Sequence, residues 1–150
     1  MTTTQTVKDA PYLFLILWKA WRAIEQVDRR SIQGLGIGCF SDFVVMEALL
    51  HKGALPVSEL GKKAGLTSGS ITTAVQRLEK QGWIGRESSP SDGRSIHIHL
   101  SEAGRDIISK AFAEHARQLD QVFAPLVKGE REEFVRLLKK VGRTAEAISL

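Results

Sequence analysis

The first strong pattern along the chain is a run of apolar residues at helical spacing. Leu13, Leu17 and Trp21 follow one another at four-residue steps, and Ile24 continues the same face. This spacing predicts an amphipathic helix over residues 11–33. The glycines of "GLGIG" come next in the sequence and predict its end.

Three shorter helices are predicted in the next part of the chain. Ser41 is the expected N-cap of "DFVVMEALLHK", which Gly53 ends. Ser58 is the expected N-cap of "ELGKKAG", and the following helix starts at Thr67 or Ser68 and runs through "GSITTAVQRLEKQ". The tight turn between the last two helices predicts a helix-turn-helix.

Two short strands are predicted after these helices. "WIGRE" and "SIHIHL" are strand candidates joined by a segment rich in turn residues. In the second strand Ile96, Ile98 and Leu100 alternate with polar residues, which predicts that these three share one buried face.

Two longer helices complete the pattern. Ser101 is the expected N-cap of a helix that extends to about Val127 and is interrupted near its end by Pro125, and a last helix follows Gly129. The predicted order is therefore four helices, a β-hairpin and two more helices. We predict a mainly α fold in which the third helix, the fourth helix and the hairpin form a winged helix-turn-helix.

The predicted fourth helix has one apolar stripe, from Ile71 to Leu78, and one polar face. Hydroxyl, amide and guanidinium groups are the donors and acceptors that read base edges in a major groove. Small residues at the start of the helix let its amides approach a phosphate. The predicted DNA contacts of this helix are Ser68, Gly69, Ser70, Thr72, Thr73, Gln76, Arg77 and Lys80.

The hairpin tip, "SSPSDGRS", carries charges that a turn closing a sheet does not require. An arginine on a thin loop can enter a minor groove, whose narrow walls concentrate negative potential, and Arg94 is predicted to do so. Asp92 is predicted to pair with an arginine and to orient the loop. Arg86, in the strand before the tip, completes the predicted DNA-binding residues.

Composition and charge agree with an anionic partner. The 150 residues, with 43% hydrophobic content, suit one globular domain, and the net charge is +4. Residues 62–86 alone carry an excess of positive charge equal to the net charge of the whole chain. The charged residues of this segment are Lys62, Lys63, Arg77, Lys80 and Arg86, against Glu79.

The stretch "LTSGSITTAVQRLEKQGWIGRESSPSDGRSIHIHLSEAG" closely resembles the MarR family of bacterial winged-helix regulators. The family pattern is a recognition helix ending in Leu-Glu-x-x-Gly, an arginine in the next strand, an Asp-x-Arg wing, and a Leu-Thr/Ser-x-x-Gly helix start. The matching residues are Leu78, Glu79, Gly82, Arg86, Asp92, Arg94, Leu100, Ser101 and Gly104. Gly93 stands where the family usually has another arginine, which predicts a weaker wing contact.

The resemblance implies a homodimer that binds double-stranded DNA at a pseudopalindromic site. Residues 1–150 are expected to form a single domain, in which residues 1–36 and 101–150 are dimerisation helices and residues 37–100 the DNA-binding lobe. Apolar runs such as "YLFLILWKAW" favour dimerisation, because a second subunit can cover their apolar side chains. Packing of these helices on their own domain is the alternative.

The function that the resemblance implies is a transcriptional repressor, released from its operator by a small phenolic, lipophilic or electrophilic effector. Tyr12, Trp18, Trp21 and His51 are predicted to line the effector pocket. For each aromatic residue of the first helix, the dimer interface is the competing interpretation.

Three alternatives remain open. Cys39, the only cysteine, lies next to a predicted helix start, whose positive end favours a thiolate, so a thiol-based redox-sensing regulator is one. A nonspecific architectural DNA-binding protein is the second, and a sensor acting through protein partners is the third.

Enzymatic and cofactor chemistry is not predicted, because the sequence has neither a Gly-rich phosphate loop nor a nucleophile elbow. His97 and His99 share a strand face but lack the further ligands of a metal site. The single cysteine, and the lack of a signal peptide or of an apolar run long enough to span a bilayer, predict a cytoplasmic protein with no membrane partner.

Overall fold

The structure, a computed structural model, describes residues 9–88, 93 and 95–149. These residues form six helices and three strands: α1 (Ala10–Gln33), α2 (Phe40–Lys52), β1 (Leu55–Pro56), α3 (Val57–Ala64), α4 (Ser68–Lys80), β2 (Ile84–Ser88), β3 (Ile96–Leu100), α5 (Glu102–Phe123) and α6 (Lys128–Ile148). The predicted mainly α, winged helix-turn-helix fold is confirmed, with β1 as an addition.

Helix α2 lies at the centre of the fold because it is apolar on more than one face. Phe43, Val45 and Met46 are fully buried. The helix packs against α1, α3, α4 and α5 and against β3. Leu78 of α4 and Ile108 of α5 belong to the same core, so one core joins the helix-turn-helix to the long helix α5.

The three strands form one antiparallel sheet in the order β1-β3-β2. Leu55 pairs with Ile98 on one side of β3, and Ile84 pairs with Leu100 on the other. The sequence does not predict β1, because a two-residue strand that contains a proline has no readable period-two pattern.

The expectation that Ile96, Ile98 and Leu100 share a buried face is wrong for Ile96. Ile98 and Leu100 are buried, whereas Ile96 is 54% exposed. Ile96 pairs with Ser88 at the outer end of the hairpin, beyond the core. The alternation of side chains gives the face of a sheet on which each lies, but not how far the core extends beneath that face.

The predicted N-cap of α5 is confirmed, and α4 begins at Ser68, one of its two predicted starts, with Thr67 as its N-cap. Thr67 Oγ1 accepts a hydrogen bond from the Ser70 amide at 3.3 Å. Ser101 Oγ accepts one from the Gly104 amide at 3.0 Å. Each side chain thus satisfies an amide that the first turn leaves without a helical partner.

Two other predicted helix starts are wrong. The N-cap of α2 is Cys39 instead of Ser41, because the backbone is extended at Cys39 and the Cys39 carbonyl already accepts the Phe43 amide at 3.2 Å. The N-cap of α3 is Pro56 instead of Ser58, because the chain passes from β1 directly into the helix.

Helix α5 ends at Phe123, earlier than the predicted end near Val127. Pro125 has no amide hydrogen with which to continue the ladder. Helix α6 begins at Lys128, and the Glu130 carboxylate accepts a hydrogen bond from the Val127 amide at 3.0 Å.

Large apolar side chains are exposed on α1 and α6. They are Leu13, Phe14, Leu15, Ile16, Leu17, Trp18, Trp21, Phe134, Val135, Leu137, Leu138, Val141 and Ile148. Helix α6 contains no buried residue, so it does not pack into the core of its own chain. Surfaces of this kind mark sites of association.

Among the described residues, we find no helix with the length and apolarity that a bilayer crossing requires.

The start of α5 lies very close to the segment that leads into β2. The Ser101 amide donates to the Trp83 carbonyl at 2.9 Å, and Ser101 Oγ donates to the Gly82 carbonyl at 2.7 Å. A Cβ atom on Gly104 would overlap the Trp83 carbonyl group. The close approach therefore requires glycine at position 104.

We expect Gly104→Ala to lower the free energy of unfolding by roughly 1–3 kcal/mol, because the added methyl group must displace backbone atoms. Chemical denaturation at a fixed protein concentration measures the change. Gly129→Ala in the first turn of α6 is the matched control, since a Cβ there meets nothing within 4 Å. Equal stability of the two variants would contradict the close packing at Gly104.

Candidate nucleic-acid interface

The turn between α3 and α4 begins at the C-cap of α3, Gly65, and ends at the N-cap of α4, Thr67. Gly65 follows α3 with a φ of 65°, in the left-handed region that favours glycine, and the Leu66 amide donates to the Gly61 carbonyl at 3.0 Å. A Cβ on Gly61 would lie 3.4 Å from Ile71 Cγ2, so the two helices pack closely. Thr67 then caps α4. The sequence folds locally into a compact helix-turn-helix.

Helix α4 buries its apolar stripe and exposes its polar face. Seven of its predicted DNA contacts are exposed: Ser68, Gly69, Ser70, Thr72, Thr73, Gln76 and Lys80. A Cβ on Gly69 would meet nothing within 4 Å. The N-terminal turn of α4 therefore offers open space and backbone amides, the combination that binds phosphate at a helix start.

The two threonines of this face bond back to their own helix. Thr72 Oγ1 donates to the Ser68 carbonyl and Thr73 Oγ1 to the Gly69 carbonyl, both at 2.9 Å. Each side chain keeps its methyl group and the remaining acceptor capacity of its oxygen. A threonine methyl can contact the methyl group of thymine. These two residues can therefore contact bases through their methyl groups as well as through hydrogen bonds.

Arg77 differs from the other predicted contacts of α4 because its guanidinium points to α2. Its Nη2 lies 2.7 Å from Asp42 Oδ1, and its Nε lies 3.2 Å from each oxygen of that carboxylate. Nη2 also donates to Ser41 Oγ at 3.0 Å and to Cys39 Sγ at 3.1 Å. Hydrogen bonding to Asp42 raises the pKa of Arg77. The sequence does not predict this contact, because no periodic spacing relates residues 42 and 77.

Arg86 also has a carboxylate partner, at the base of the hairpin. Its Nε donates to Glu79 Oε1 at 2.6 Å and its Nη2 to Glu79 Oε2 at 3.1 Å. This hydrogen bonding lowers the pKa of Glu79 and raises that of Arg86. The fork-shaped pair joins the last turn of α4 to β2, so it fixes the direction in which the hairpin leaves α4.

The charged tip of the hairpin lies outside the described residues. Asp92 and Arg94 both belong to that part of the chain, and their roles stay predictions. Below the tip, the His99 ring lies over Gly85, where a Cβ would come within 2.8 Å of His99 Cε1. Glycine at position 85 thus lets the ring cover the neighbouring strand.

The predicted effector residues lie in two different places. His51 packs edge-on against Phe112, with ring centroids 4.6 Å apart, and lines a half-open groove of about 250 Å³ between α2 and α3. Among described residues, the lining of this groove is Val44, Glu47, Ala48, His51, Lys52, Lys63 and Ala64. Trp18 and Trp21 are exposed on α1 and are not part of this lining, and neither is the half-buried Tyr12.

The groove has an apolar floor and ionisable walls. Burial raises the pKa of Glu47, although the nearby His115 and His51 act in the opposite sense. Lys52 and Lys63 supply positive charge at its edge. This set of groups suits a small ligand that has both an apolar ring and an anionic group.

A buried polar contact lies close to this groove and joins α1 to α5. His115 Nδ1 lies 2.7 Å from Ser31 Oγ, and His115 Nε2 lies 3.4 Å from Asp28 Oδ1. The ring also packs edge-on against Phe43 of α2, with centroids 5.0 Å apart. His115 therefore connects three helices, a role that a lone histidine in a sequence does not reveal.

Cys39 is exposed and lies against Arg77. Its Sγ is 3.1 Å from Arg77 Nη2 and 3.1 Å from Ser41 Oγ. The residue also borders a cavity of about 190 Å³ with Arg29 and Phe40. Any chemical change at this sulfur would act directly on the side chain that joins α4 to α2.

Within the described part of the chain, no three His, Cys, Asp or Glu side chains are grouped so that they could share a metal ion.

Comparison with known proteins gives consistent results. A family model described as the MarR family matches residues 41–96. The HTH-type transcriptional regulator MhqR of Bacillus subtilis (strain 168) is 34% identical over 134 residues, which cover 89% of this chain and 92% of MhqR.

Solved structures share the architecture over most of the chain. The MarR family protein Rv2887 of Mycobacterium tuberculosis, in complex with p-aminosalicylic acid, aligns with a TM-score of 0.68 and 26% identity, covering 87% of this chain and 98% of that one. A MarR family regulator from Silicibacter pomeroyi aligns with a TM-score of 0.70 and 24% identity, covering 88% and 86%. The second likeness concerns the fold alone.

Proposed function

The chain belongs to the MarR family of DNA-binding transcription regulators, and on that premise we propose that it is a sequence-specific repressor which binds a pseudopalindromic operator as a homodimer. MarR regulators are not enzymes, bind DNA and act as dimers. The observation that carries the proposal is the exposed polar face of α4, presented by a capped helix whose opposite face is buried. Curated relatives described as repressors support the direction of regulation.

The dimer forms through the terminal helices in this proposal. Residues 1–36 and 101–150 supply the dimerisation region, and residues 37–100 form the DNA-binding lobe. Support comes from the exposed apolar side chains of α1 and α6, which a second copy would cover. Two-fold symmetry then presents two α4 helices to half-sites about one turn of DNA apart.

In each half-site, α4 enters the major groove and the hairpin reaches the adjacent minor groove. Gln76, Thr72 and Thr73 read base edges, while the start of α4 and Lys80 bind the phosphate backbone. Arg94 is the proposed minor-groove contact and Asp92 its support. The nearby lysines add sequence-independent attraction.

We expect Gln76→Ala to weaken binding to the preferred sequence by about 1–3 kcal/mol and to leave binding to random DNA nearly unchanged, because a base-edge contact is lost. The probe is the tightest duplex that the wild-type protein selects from a randomised library. Binding to this duplex and to an unselected one of equal length is measured at matched salt.

Lys80→Gln is the comparison variant for this test. A lost phosphate contact weakens binding to both duplexes alike and reduces the salt dependence by about one unit of slope. If the wild-type protein bound selected and unselected duplexes equally, the sequence-specific proposal would be wrong and the architectural alternative would hold.

The effector in this proposal is a small aromatic acid bound in the groove beside His51. The groove offers an apolar floor for a ring and two lysines for an anionic group. Burial raises the pKa of Glu47, the one carboxylate among the described residues of the groove lining. Binding of p-aminosalicylic acid by Rv2887 supports this ligand class. The aromatic residues of α1 belong to the dimer interface in this proposal.

Lys63→Gln should weaken binding of p-aminosalicylate by roughly fivefold, the effect of one lost charge-assisted hydrogen bond at a partly exposed site. Calorimetric titration in the absence of DNA measures the dissociation constant. Lys62→Gln is the matched control, because it removes the same charge from the same helix at a residue outside the groove lining. If p-aminosalicylate did not bind, or both variants bound it equally, the groove assignment would be wrong.

A thiol-based redox sensor is a second candidate function, favoured by the contact between Cys39 and Arg77. Hydrogen peroxide would transfer one oxygen atom to the Cys39 sulfur, giving a sulfenic acid and water. The oxidised group is larger and changes the contact that Arg77 makes, which disturbs α4.

Hydrogen peroxide should then release the selected duplex from the wild-type protein and not from Cys39→Ser. Fluorescence anisotropy before and after treatment measures the bound fraction, and a reductant should restore the wild-type signal. Equal release from both proteins would exclude the sensor role of Cys39.

A further inference from the structure

Asp42 is a charged residue in the core of the protein. It lies in the first turn of α2 and is 1% exposed. Aspartates are rarely buried unless they are paired, because removing a carboxylate from water is costly. A residue kept in such a place requires a partner that neutralises it and satisfies both of its oxygens.

Arg77 is that partner, and it comes from α4. Its Nε and Nη2 together contact both carboxylate oxygens, at 2.7–3.2 Å. A planar guanidinium held by two nitrogens is fixed in orientation as well as in position. The ion pair therefore sets how α4 is rotated, and how far it lies, relative to α2.

The chain before α2 leaves room for this carboxylate. Gly38 has a φ of 68°, and a Cβ there would lie only 3.0 Å from Asp42 Oδ2. On the other side of the pair, Ser41 Oγ accepts a further hydrogen bond from Arg77. Backbone and side chains around Asp42 are thus arranged for one position of the guanidinium.

The apolar stripe of α4 does not define that position by itself. Ile71, Val75 and Leu78 pack through aliphatic side chains, whose attraction is non-directional. Arg77 lies directly after Gln76 and one helical turn after Thr73, so its anchoring controls the part of α4 that faces the bases.

We propose that Asp42 is a positioning residue for operator recognition, which acts through Arg77 to hold α4 in the orientation that matches its base contacts. This role rests on the proposed function of α4 as the recognition helix. Asp42 does not touch DNA, and Arg77 serves as an anchor of α4 instead of as a reader of bases.

Asp42→Asn tests the proposal because it keeps the size of the side chain and removes its charge. We expect the ratio of affinities for selected over unselected duplexes to fall roughly 3- to 30-fold. Affinity for the unselected duplex should stay the same or rise slightly, because a negative charge is lost. The duplexes are those selected by the wild-type protein and random ones of equal length.

Asp106→Asn is the matched control. It removes the same charge from an exposed position on α5 and should leave the affinity ratio unchanged. Circular dichroism and size-exclusion chromatography verify the fold and the oligomeric state of each variant before binding is compared.

Arg77→Lys is the second variant, and it keeps the charge that neutralises Asp42 while losing the fork. Arg77→Lys should lower the ratio of affinities for selected over unselected duplexes, as Asp42→Asn does. The double variant should have a ratio no lower than that of the more affected single variant, because both changes break the same contact. Additive losses would contradict action through Arg77.

The outcomes separate this inference from the proposed function. If the wild-type protein does not discriminate between duplexes, both are wrong. If it discriminates, and folded Asp42→Asn and Arg77→Lys discriminate as well as it does, only the positioning role is wrong. Tighter binding of the selected duplex by Asp42→Asn would instead show that Arg77 is a DNA contact that Asp42 restrains.

Discussion

The packing of α4 on α2 is the contact on which the rest of the structure depends. Helix α4 buries one face against the central helix α2, through Ile71, Ala74, Val75 and Leu78. Its polar face is therefore exposed to solvent. The same central helix packs on α1 and α5. Because cores are close-packed and deform little, a displacement of α2 relative to α5 would be transmitted to α4.

Two carboxylate–arginine pairs hold the C-terminal part of α4, while its N-terminal turn is open. The Asp42–Arg77 pair contains a buried carboxylate, so loss of Arg77 leaves a buried negative charge that is poorly compensated, whereas the Arg77 side chain is 42% exposed. The Glu79–Arg86 pair is partly exposed and contributes little to stability. The pair instead fixes the orientation of the hairpin relative to α4. Helix α4 is therefore anchored at the end away from its open N-terminal turn.

Helix α2 also connects the proposed effector groove to α4. Glu47 and His51 line the groove, and Asp42 lies on the same helix, one turn or more towards its start. His115 bonds to α1 and packs on Phe43, which lies next to Asp42. A ligand that prefers one arrangement of α2 and α5 would shift the population of α4 orientations by its differential affinity.

Local patterns in the sequence determined the six helices and the two strands of the hairpin. The apolar stripe of α4, the Ser101 cap and the strand character of β3 each depend on residues within a few positions of one another, and the sequence predicts them correctly. The exposed face of α4 follows from the same periodicity. The tertiary structure decided what residues far apart in the chain do to one another. Sequence spacing could not show that Arg77 turns to Asp42, that Ile96 lies beyond the core, or that Leu55 and Pro56 add a strand to β3. The chemical type of a side chain limits which contacts it can make. Which partner it contacts depends on the tertiary structure, because the partner can lie far away in the sequence.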